Sequence, residues 1–492
     1  MNESSLHDVL IAGAGPVGLL LACELALGGV HVLVLEREPR ADAPLKQAPL
    51  GLRGLSIATA ELLHRRGLLD DLLATGPSRR VQAGHFAGID LDPARIDTAR
   101  WPYRVPNPAD TTIATDIASV EAVLAARAVA LGVTIRRGHA ATGLDVGDDE
   151  VLVRAGPHAW RARWLVGCDG GRSAVRKLAG FDFPGTDPEF TAYSALVDIA
   201  DPDALPTGRH VTDTGFFVNE SGRIAIADFD GGAFDRTQSI TREHLQAVLR
   251  RVSGKGVTLA AVHQATTFTD RARQASTYRR GRVLLAGDAA HVHSALGGQG
   301  LNAGLGDAFN LGWKLAATVR GDAPDGLLDT YDAERHPVGA WVLDWTRAQT
   351  ALMRPGAPGR ALEGVLRELI ATEDGATHLA AQLWGVALRY DLGADHPLVG
   401  RSAPDVEFDD GCRLAEHLRD GCGVLVDFDA RLALALPRDR VRRVRANARE
   451  RLGLSALLVR PDGIVAWACD ADPAPHEAEA ALARWFGAPR PQ

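Results

Sequence analysis

Three stretches of the chain share one rhythm: a short apolar run, a cluster of glycines, then a helical stretch. Asp8-Val-Leu-Ile-Ala12 leads into Gly13-Ala14-Gly15-Pro16-Val17-Gly18 and an apolar stretch from Leu19 to about Gly28. Trp164-Leu-Val-Gly-Cys168 leads into Asp169-Gly170-Gly171-Arg172-Ser173 and a short helix. Arg282-Val-Leu-Leu-Ala286 leads into Gly287-Asp288, and after Leu296-Gly297-Gly298-Gln299-Gly300-Leu301-Asn302 come Leu305, Ala308, Leu311, Leu315 and Val319 at helical spacing. An apolar run bounded by glycine is how a strand buried on both faces reads, and a 3.6-residue repeat is helical. Each stretch therefore predicts a parallel strand, a tight turn and a helix.

From Phe183 to about Tyr278 the rhythm changes to period two, broken by Gly, Pro and Asp. Thr191-Ala-Tyr-Ser-Ala-Leu-Val-Asp198, Gly215-Phe-Phe-Val-Asn219 and Gly222-Arg-Ile-Ala-Ile-Ala-Asp-Phe229 read as strands of an antiparallel sheet. Asp329 to about Tyr390 reads as mostly helical. Near Gly400 the chain starts a further unit, with strands at 423–427, 456–460 and 463–467 and a last helix from Glu477.

The length of 492 residues matches about three domains. With 46% hydrophobic and 24% charged residues, the chain has ample material for large cores. Its net charge of −8, without a basic stripe, argues against nucleic acid and anionic membrane surfaces as partners. The apolar stretch from Val9 to Leu35 is not read as a membrane span, because Glu24, His31 and several glycines interrupt it. Five scattered cysteines without a CxxC or a nearby histidine cluster predict neither a disulfide framework nor a metal site, and fit a cytoplasmic protein.

The first turn carries the chemistry of a dinucleotide phosphate site. Gly13 permits the turn, Gly15 leaves room for a pyrophosphate against bare backbone, and Gly18 lets helix and strand pack closely. The following helix directs free N–H groups and a partial positive charge at the phosphates. Glu36, closing the second strand Val30–Leu35, can accept from ribose hydroxyls, which favours FAD or NAD over NADP. The Asp169 stretch also reads as an ordinary strand–turn with an aspartate cap. Asp288 and the turn from Gly298 form a second site of the first kind, an acid for hydroxyls beside a helix N-terminus.

The combination GAGPVG…E, CDGGRSAVR and GDAAHVHSALGGQGLNAGLGDA resembles the class A flavoprotein monooxygenases, the para-hydroxybenzoate-hydroxylase-like enzymes. Within them it is most similar to the aromatic polyketide hydroxylases, including aklavinone hydroxylase and rifampicin monooxygenase. The resemblance implies bound FAD, with Gly13, Gly15, Pro16, Val17, Gly18, Glu36 and Arg37 at its adenosine and pyrophosphate. It implies Asp288 at the ribityl chain and Gly298, Gln299, Gly300, Leu301 and Asn302 at the flavin ring. Asp169 falls in a motif tied to FAD and nicotinamide, and Arg53 falls near the family's pyrophosphate arginine. Three positions depart from the family pattern: Ala58-Thr59 for Arg-Thr, Asp116-Ile117 for a glutamine, and Ala295 for a proline.

The expected fold class is α/β: a GxGxxG Rossmann-like FAD domain (1–180 and 281–395, with trailing helices), an inserted antiparallel-sheet substrate domain (181–280), and a thioredoxin-like C-terminal domain without CxxC (396–492). The implied activity is NADPH- or NADH-consuming hydroxylation of a polycyclic phenol or quinone by O2, through a flavin carbon-4a hydroperoxide, in secondary metabolism. Baeyer–Villiger, ring-cleaving or epoxidising chemistry is the alternative within the family, and a non-catalytic aromatic-binding flavoprotein is a more distant one. Tyr193, His210 and His293 are the residues weighed as catalytic base, while Phe216, Phe217 and Phe229 are weighed as pocket lining. The expected assembly is a monomer or homodimer.

Overall fold

The computed structural model describes residues 6–487 apart from 83 and 438. Strand β1 (Leu6–Ala12) passes directly into helix α1 (Pro16–Leu27) and back into β2 (Val32–Glu36). An antiparallel pair, β3 (Leu52–Leu55) and β4 (Thr112–Asp116), carries helices α2 (Ile57–Arg65) and α3 (Ile117–Ala130). The chain re-enters the main sheet through β5 (Thr134–Arg137) and β6 (His158–Gly167), followed by the short helix α4 (Ala174–Leu178). Next come β7 (Thr191–Ile199), β8 (Gly208–Val211), β9 (Gly215–Glu220), β10 (Arg223–Asp228), helix α5 (Arg242–Ser253) and β11 (Leu259–Thr269). Strand β12 (Val283–Leu285) returns to the main sheet, ahead of α6 (Gln299–Arg320), α7 (Asp329–Met353), α8 (Ala357–Ile370) and α9 (Glu373–Leu383). A last sheet of β13 (Gly423–Asp427), β14 (Val441–Val444), β15 (Ala456–Val459) and β16 (Val465–Cys469) ends in α10 (Pro475–Phe486).

The central parallel strands stand in the order β5–β2–β1–β6–β12. The direction of build-up reverses beside β1, and ligands of such sheets bind beyond the carboxyl ends of the strands at that reversal. Register places those ends level: Ala12 pairs with Leu35 and with Gly167, and Gly167 pairs with Leu285. All three glycine turns therefore emerge side by side.

Helices α1 and α6 lie against each other through small residues. A Cβ on Gly28 would sit 2.4 Å from the Ala316 Cβ, and one on Gly312 would sit 2.4 Å from the Glu24 Cβ. Leu19, Leu20, Leu21 and Leu25 are all fully buried, which explains why α1 is apolar nearly all round.

The inserted sheet runs β8–β9–β10–β7–β11. One face packs on α5, where Leu245, Val248, Leu249 and Val252 meet Tyr193, Phe217 and Ile226. The period-two reading anticipated the strands and passed over α5, although its leucine and valine spacing is helical and Thr241 caps it by accepting from the His244 N–H. The opposite face contributes Phe190, Ala192, Phe216 and Ala227 to a cluster with Leu352, Met353, Ile370 and Trp384 from α7–α9 and the residue that follows.

Candidate functional site

The glycines of the three turns divide into two kinds. Some are required because protein already fills the space: a Cβ on Gly13 would meet the Cys168 carbonyl oxygen at 2.4 Å, and one on Gly18 would meet the Gly13 carbonyl oxygen at 2.0 Å. Gly304 and Gly287 belong with them, since added Cβ atoms would lie 2.6 and 3.0 Å from Val17 Cγ2. Val17 is thus the wedge on which the first and third turns close. The other kind faces open space. A Cβ on Gly15 would meet nothing nearer than Glu121 Oε1 at 3.9 Å, and one on Gly298 nothing within 4 Å.

Gly15 and Gly298 are the N-caps of α1 and α6, and neither helix start is capped by a side chain. Two sets of free N–H groups therefore face open ground, the arrangement that receives anions. Beside the first, the Glu36 carboxylate accepts from the Ala14 N–H at 2.6 Å and the Glu38 N–H at 2.9 Å, bracing the turn with an acid at the end of β2. Beside the second, Asp288 is exposed while Gly287, Ala289 and Ala290 around it are buried. From β2 to β12 there are three strand spacings, about 14 Å in all. That span suits an elongated dinucleotide better than a single nucleotide, and the donor set fits FAD: open glycine at a pyrophosphate, acids for two sugar-type chains, a second helix start for a ring edge.

A buried network that sequence reading missed sets the third turn. Asp307, fully buried, accepts from the Gly287 N–H (3.0 Å), His291 Nε2 (2.8 Å) and Arg335 Nε (2.7 Å). Burial opposes its ionisation, but Arg335 and His291 outweigh that and hold the carboxyl below its usual range. Arg335 also donates to the Tyr390 hydroxyl and the Ala303 carbonyl. Asn302 is a clamp: its Oδ1 accepts from the Ser56 N–H and Thr59 hydroxyl, and its Nδ2 donates to the Gly54 and Gly298 carbonyls. Thr59 thus has a defined partner at the departure Ala58-Thr59. Asp116, at another departure, caps α3 by accepting from the Ser119 N–H at 2.8 Å.

Gln299 begins α6 and donates toward the Gly297 and Leu383 carbonyls, while Gly300 and Leu301 complete the first turn. Pro16 stands at the first helical position of α1. Asp169 spends its carboxylate on α4, accepting from Ser173 Oγ and the Ala174 and Val175 N–H groups, as the cap reading allowed. Arg37 is exposed and paired with Glu38 at 3.2 Å. Arg53 donates to the Leu50 and Leu52 carbonyls and feels Asp288 electrostatically. Lys46 also stands beside the first turn: its Nζ lies 2.7 Å from Glu121 Oε1, the atom that faces Gly15. Burial pushes the Glu121 carboxyl upward.

The residues weighed as base separate. Tyr193 donates to or accepts from His244 at 2.9 Å, and His210 stacks on Phe217 at 5.0 Å; both lie on the side of the inserted sheet occupied by α5. The side that reaches the third turn is the other one, where Phe190 and Phe216 share a cluster with Ile57, and Leu296 packs against it. Period-two alternation puts Tyr193 and Phe217 opposite to Ala192 and Phe216, so Tyr193, His210 and Phe217 face away, whereas Phe216 and Phe229 face inward. His293 sits at the third turn itself: its Nδ1 bonds the Ser294 carbonyl at 2.8 Å, and a Cβ on Gly300 would lie 3.2 Å from its Nε2. Among the described residues no cluster of His, Cys, Asp and Glu could hold a metal ion, and no helix is long and apolar enough to cross a membrane.

The fold and the cradle define a flavin-dinucleotide protein with an inserted, partly aromatic sheet. Residues 7–346 match the FAD binding domain family, and residues 396–489 match the aromatic-ring hydroxylase C-terminal family. A monooxygenase of Claviceps purpurea is 45% identical over 505 residues, covering 99% of both chains. The solved anhydrotetracycline hydroxylase of Streptomyces rimosus superposes with a TM-score of 0.87 at 38% identity, covering 100% of both. The dialkyldecalin synthase of Streptomyces rugosporus is 38% identical over 492 residues, covering 97% of this chain and 98% of its own. The chain belongs to the FAD-dependent aromatic-ring monooxygenase family.

Proposed function

We propose that this enzyme hydroxylates a polycyclic phenol or quinone of the polyketide type, using O2 and either NADPH or NADH. The observation that carries the reading is the aromatic cluster packed beside the third glycine turn, which we read as the wall of the substrate site. Phe190 just ahead of β7, Phe216 of the sheet, Ile57 beside the turn, and Phe86, Trp101 and Trp384 share one buried cluster, with Leu296 and Trp345 packed against it. Phe86 meets Trp345 edge-on at 4.8 Å and Trp101 meets Trp384 at 5.8 Å, geometries that also suit a flat aromatic guest.

The adenosine ribose would be held by Glu36, the pyrophosphate by the open start of α1, the ribityl chain by Asp288 and the ring edge by the start of α6. Bound FAD supplies oxygen transfer once a nicotinamide has reduced it. The chain orients the acceptor by stacking, since Phe190, Ala192, Phe216, Ala227 and Phe268 carry no ionisable group, and the apolar walls exclude water. The C-terminal unit is read as a thioredoxin-like fold with a structural role; its cysteines Cys412, Cys422 and Cys469 are unpaired. Free thiols support a reducing, cytoplasmic setting.

A second reading, formation of a dialkyldecalin-type ring system, rests on the dialkyldecalin synthase relative. One experiment separates the two. The yellow holoenzyme is screened with polycyclic phenols for accelerated NADPH or NADH oxidation, and products are weighed. Gain of one oxygen with the carbonyls intact supports hydroxylation; an isomeric product without nucleotide consumption overturns it.

A further inference from the structure

A half-open cavity of about 460 Å³ lies behind the third turn, between α2, α6, α7 and the segment 382–391, with Asp462 and Ile464 of the C-terminal unit at one end. No residue of the inserted sheet lines it, so it is separate from the aromatic cluster. It persists because the wall positions Ala58, Ala303, Gly306, Ala333 and Ala387 are small. Interiors otherwise pack with few voids larger than a water, and sites for drug-sized ligands occupy about 300–1,000 Å³.

We propose that this cavity is a second binding site, for an uncharged planar polycyclic molecule bearing carbonyl or hydroxyl oxygens. The inference shares its ligand class with the function proposed above, not its location. The charges on the wall are already answered: Glu334 by Arg460 and Lys314, Arg335 by Asp307, and Asp462 by Arg460. Arg65 lies 3.8 Å from Glu61, and the rim residues Arg389 and Asp391 carry opposite signs. No excess positive charge remains to select a phosphate or a carboxylate.

A flat surface is available in Trp341, 37% exposed, which stacks on Trp345 with 5.1 Å between ring centres. Polar groups remain for ligand oxygens. The Tyr390 hydroxyl accepts from Arg335 and retains its own proton, and Gln382 is among the lining residues. The site touches the flavin turn directly through Gln299 and Asn302, which line its inner end. An occupant would therefore bear on the same turn that the flavin ring is expected to meet.

The test is equilibrium dialysis of the FAD holoenzyme against 1,8-dihydroxyanthraquinone without nicotinamide, comparing wild type with Ala387→Phe, which fills the cavity. Two molecules bound per wild-type chain, falling to one in Ala387→Phe with an unchanged flavin spectrum, is the expected result. If wild type binds one molecule and Ala387→Phe binds none, the cavity site stands and the aromatic cluster is refuted as the wall of a polycycle site. Equal stoichiometry in both proteins overturns the inference. Should Ala387→Phe lose its flavin, Trp341→Ala at the exposed rim replaces it: weakening of one binding class by about tenfold supports the site, and unchanged binding overturns it.

Discussion

Replacing Asp307 by Asn tests whether the third turn is held from behind. The carboxylate is fully buried and gathers three donors within 2.7–3.0 Å, from Arg335, His291 and the Gly287 backbone. Asparagine keeps the shape and removes the charge; its one amide oxygen can accept either from Arg335 or on the Gly287 and His291 side, and the Arg335 guanidinium is left buried without a countercharge, beside the Tyr390 hydroxyl and Ala303 carbonyl. Breaking a buried ion pair from one side costs about 3–5 kcal/mol, and a Gly287 N–H left without its acceptor costs about 1–3 kcal/mol. Gly287 is in the left-handed region at φ +61°, so loss of its anchor lets the Asp288 turn relax. If as little as 1.4 kcal/mol must be spent to re-form the turn, FAD affinity falls tenfold. Flavin fluorescence on dilution of the holoenzyme measures that affinity, and urea unfolding measures stability. Asp307→Leu with Arg335→Met should cost less than the sum of the single changes, because neither charge is left alone. An Asp307→Asn protein within 1 kcal/mol of wild type, with unchanged FAD affinity, would refute the reasoning.

Four further outcomes are expected. Gly18→Ala places a Cβ 2.0 Å from a backbone oxygen and should yield an unstable, flavin-free protein, whereas Gly15→Ala should melt like the wild-type apoprotein yet bind FAD at least tenfold more weakly; equal thermal stability of the two variants would contradict the division of the glycines. Tyr193→Phe removes a hydrogen bond to His244 on the α5 side, so stability should fall by about 1 kcal/mol with turnover within threefold of wild type; a hundredfold slower steady-state rate would restore Tyr193 as a base. Glu36→Ala should lower FAD affinity by about tenfold or more without changing substrate affinity, checked by separate titrations. Burial pushes the Lys314 ammonium down to about 7, against its ordinary 10.5. Between those values the unfolded chain binds the extra proton, so this lysine makes stability rise with pH; Lys314→Met should flatten that rise in urea midpoints from pH 7.5 to 9.5, and an unchanged slope would refute it.

Local physics made the three turns legible. An apolar run, a glycine that alone tolerates the turn, and a helical repeat are set by residues within a few positions of each other, and the structure has each where it was expected. The same holds for the period-two strands and for β13, which spans 423–427 in both. Departures came where a choice depends on distant partners. Alternation separates Tyr193 from Phe216, yet which side meets the flavin turn follows from where α5 and α7 dock. The use of Asp307, Arg335 and the Lys46–Glu121 pair is invisible along the chain, because their partners lie tens of residues away and burial alone gives them meaning. Sequence by itself determined the turns, their order and the kind of ligand they suit. Only tertiary structure decided that they stand level at one sheet edge, because that depends on strand pairing across long stretches of chain, and no local preference encodes it.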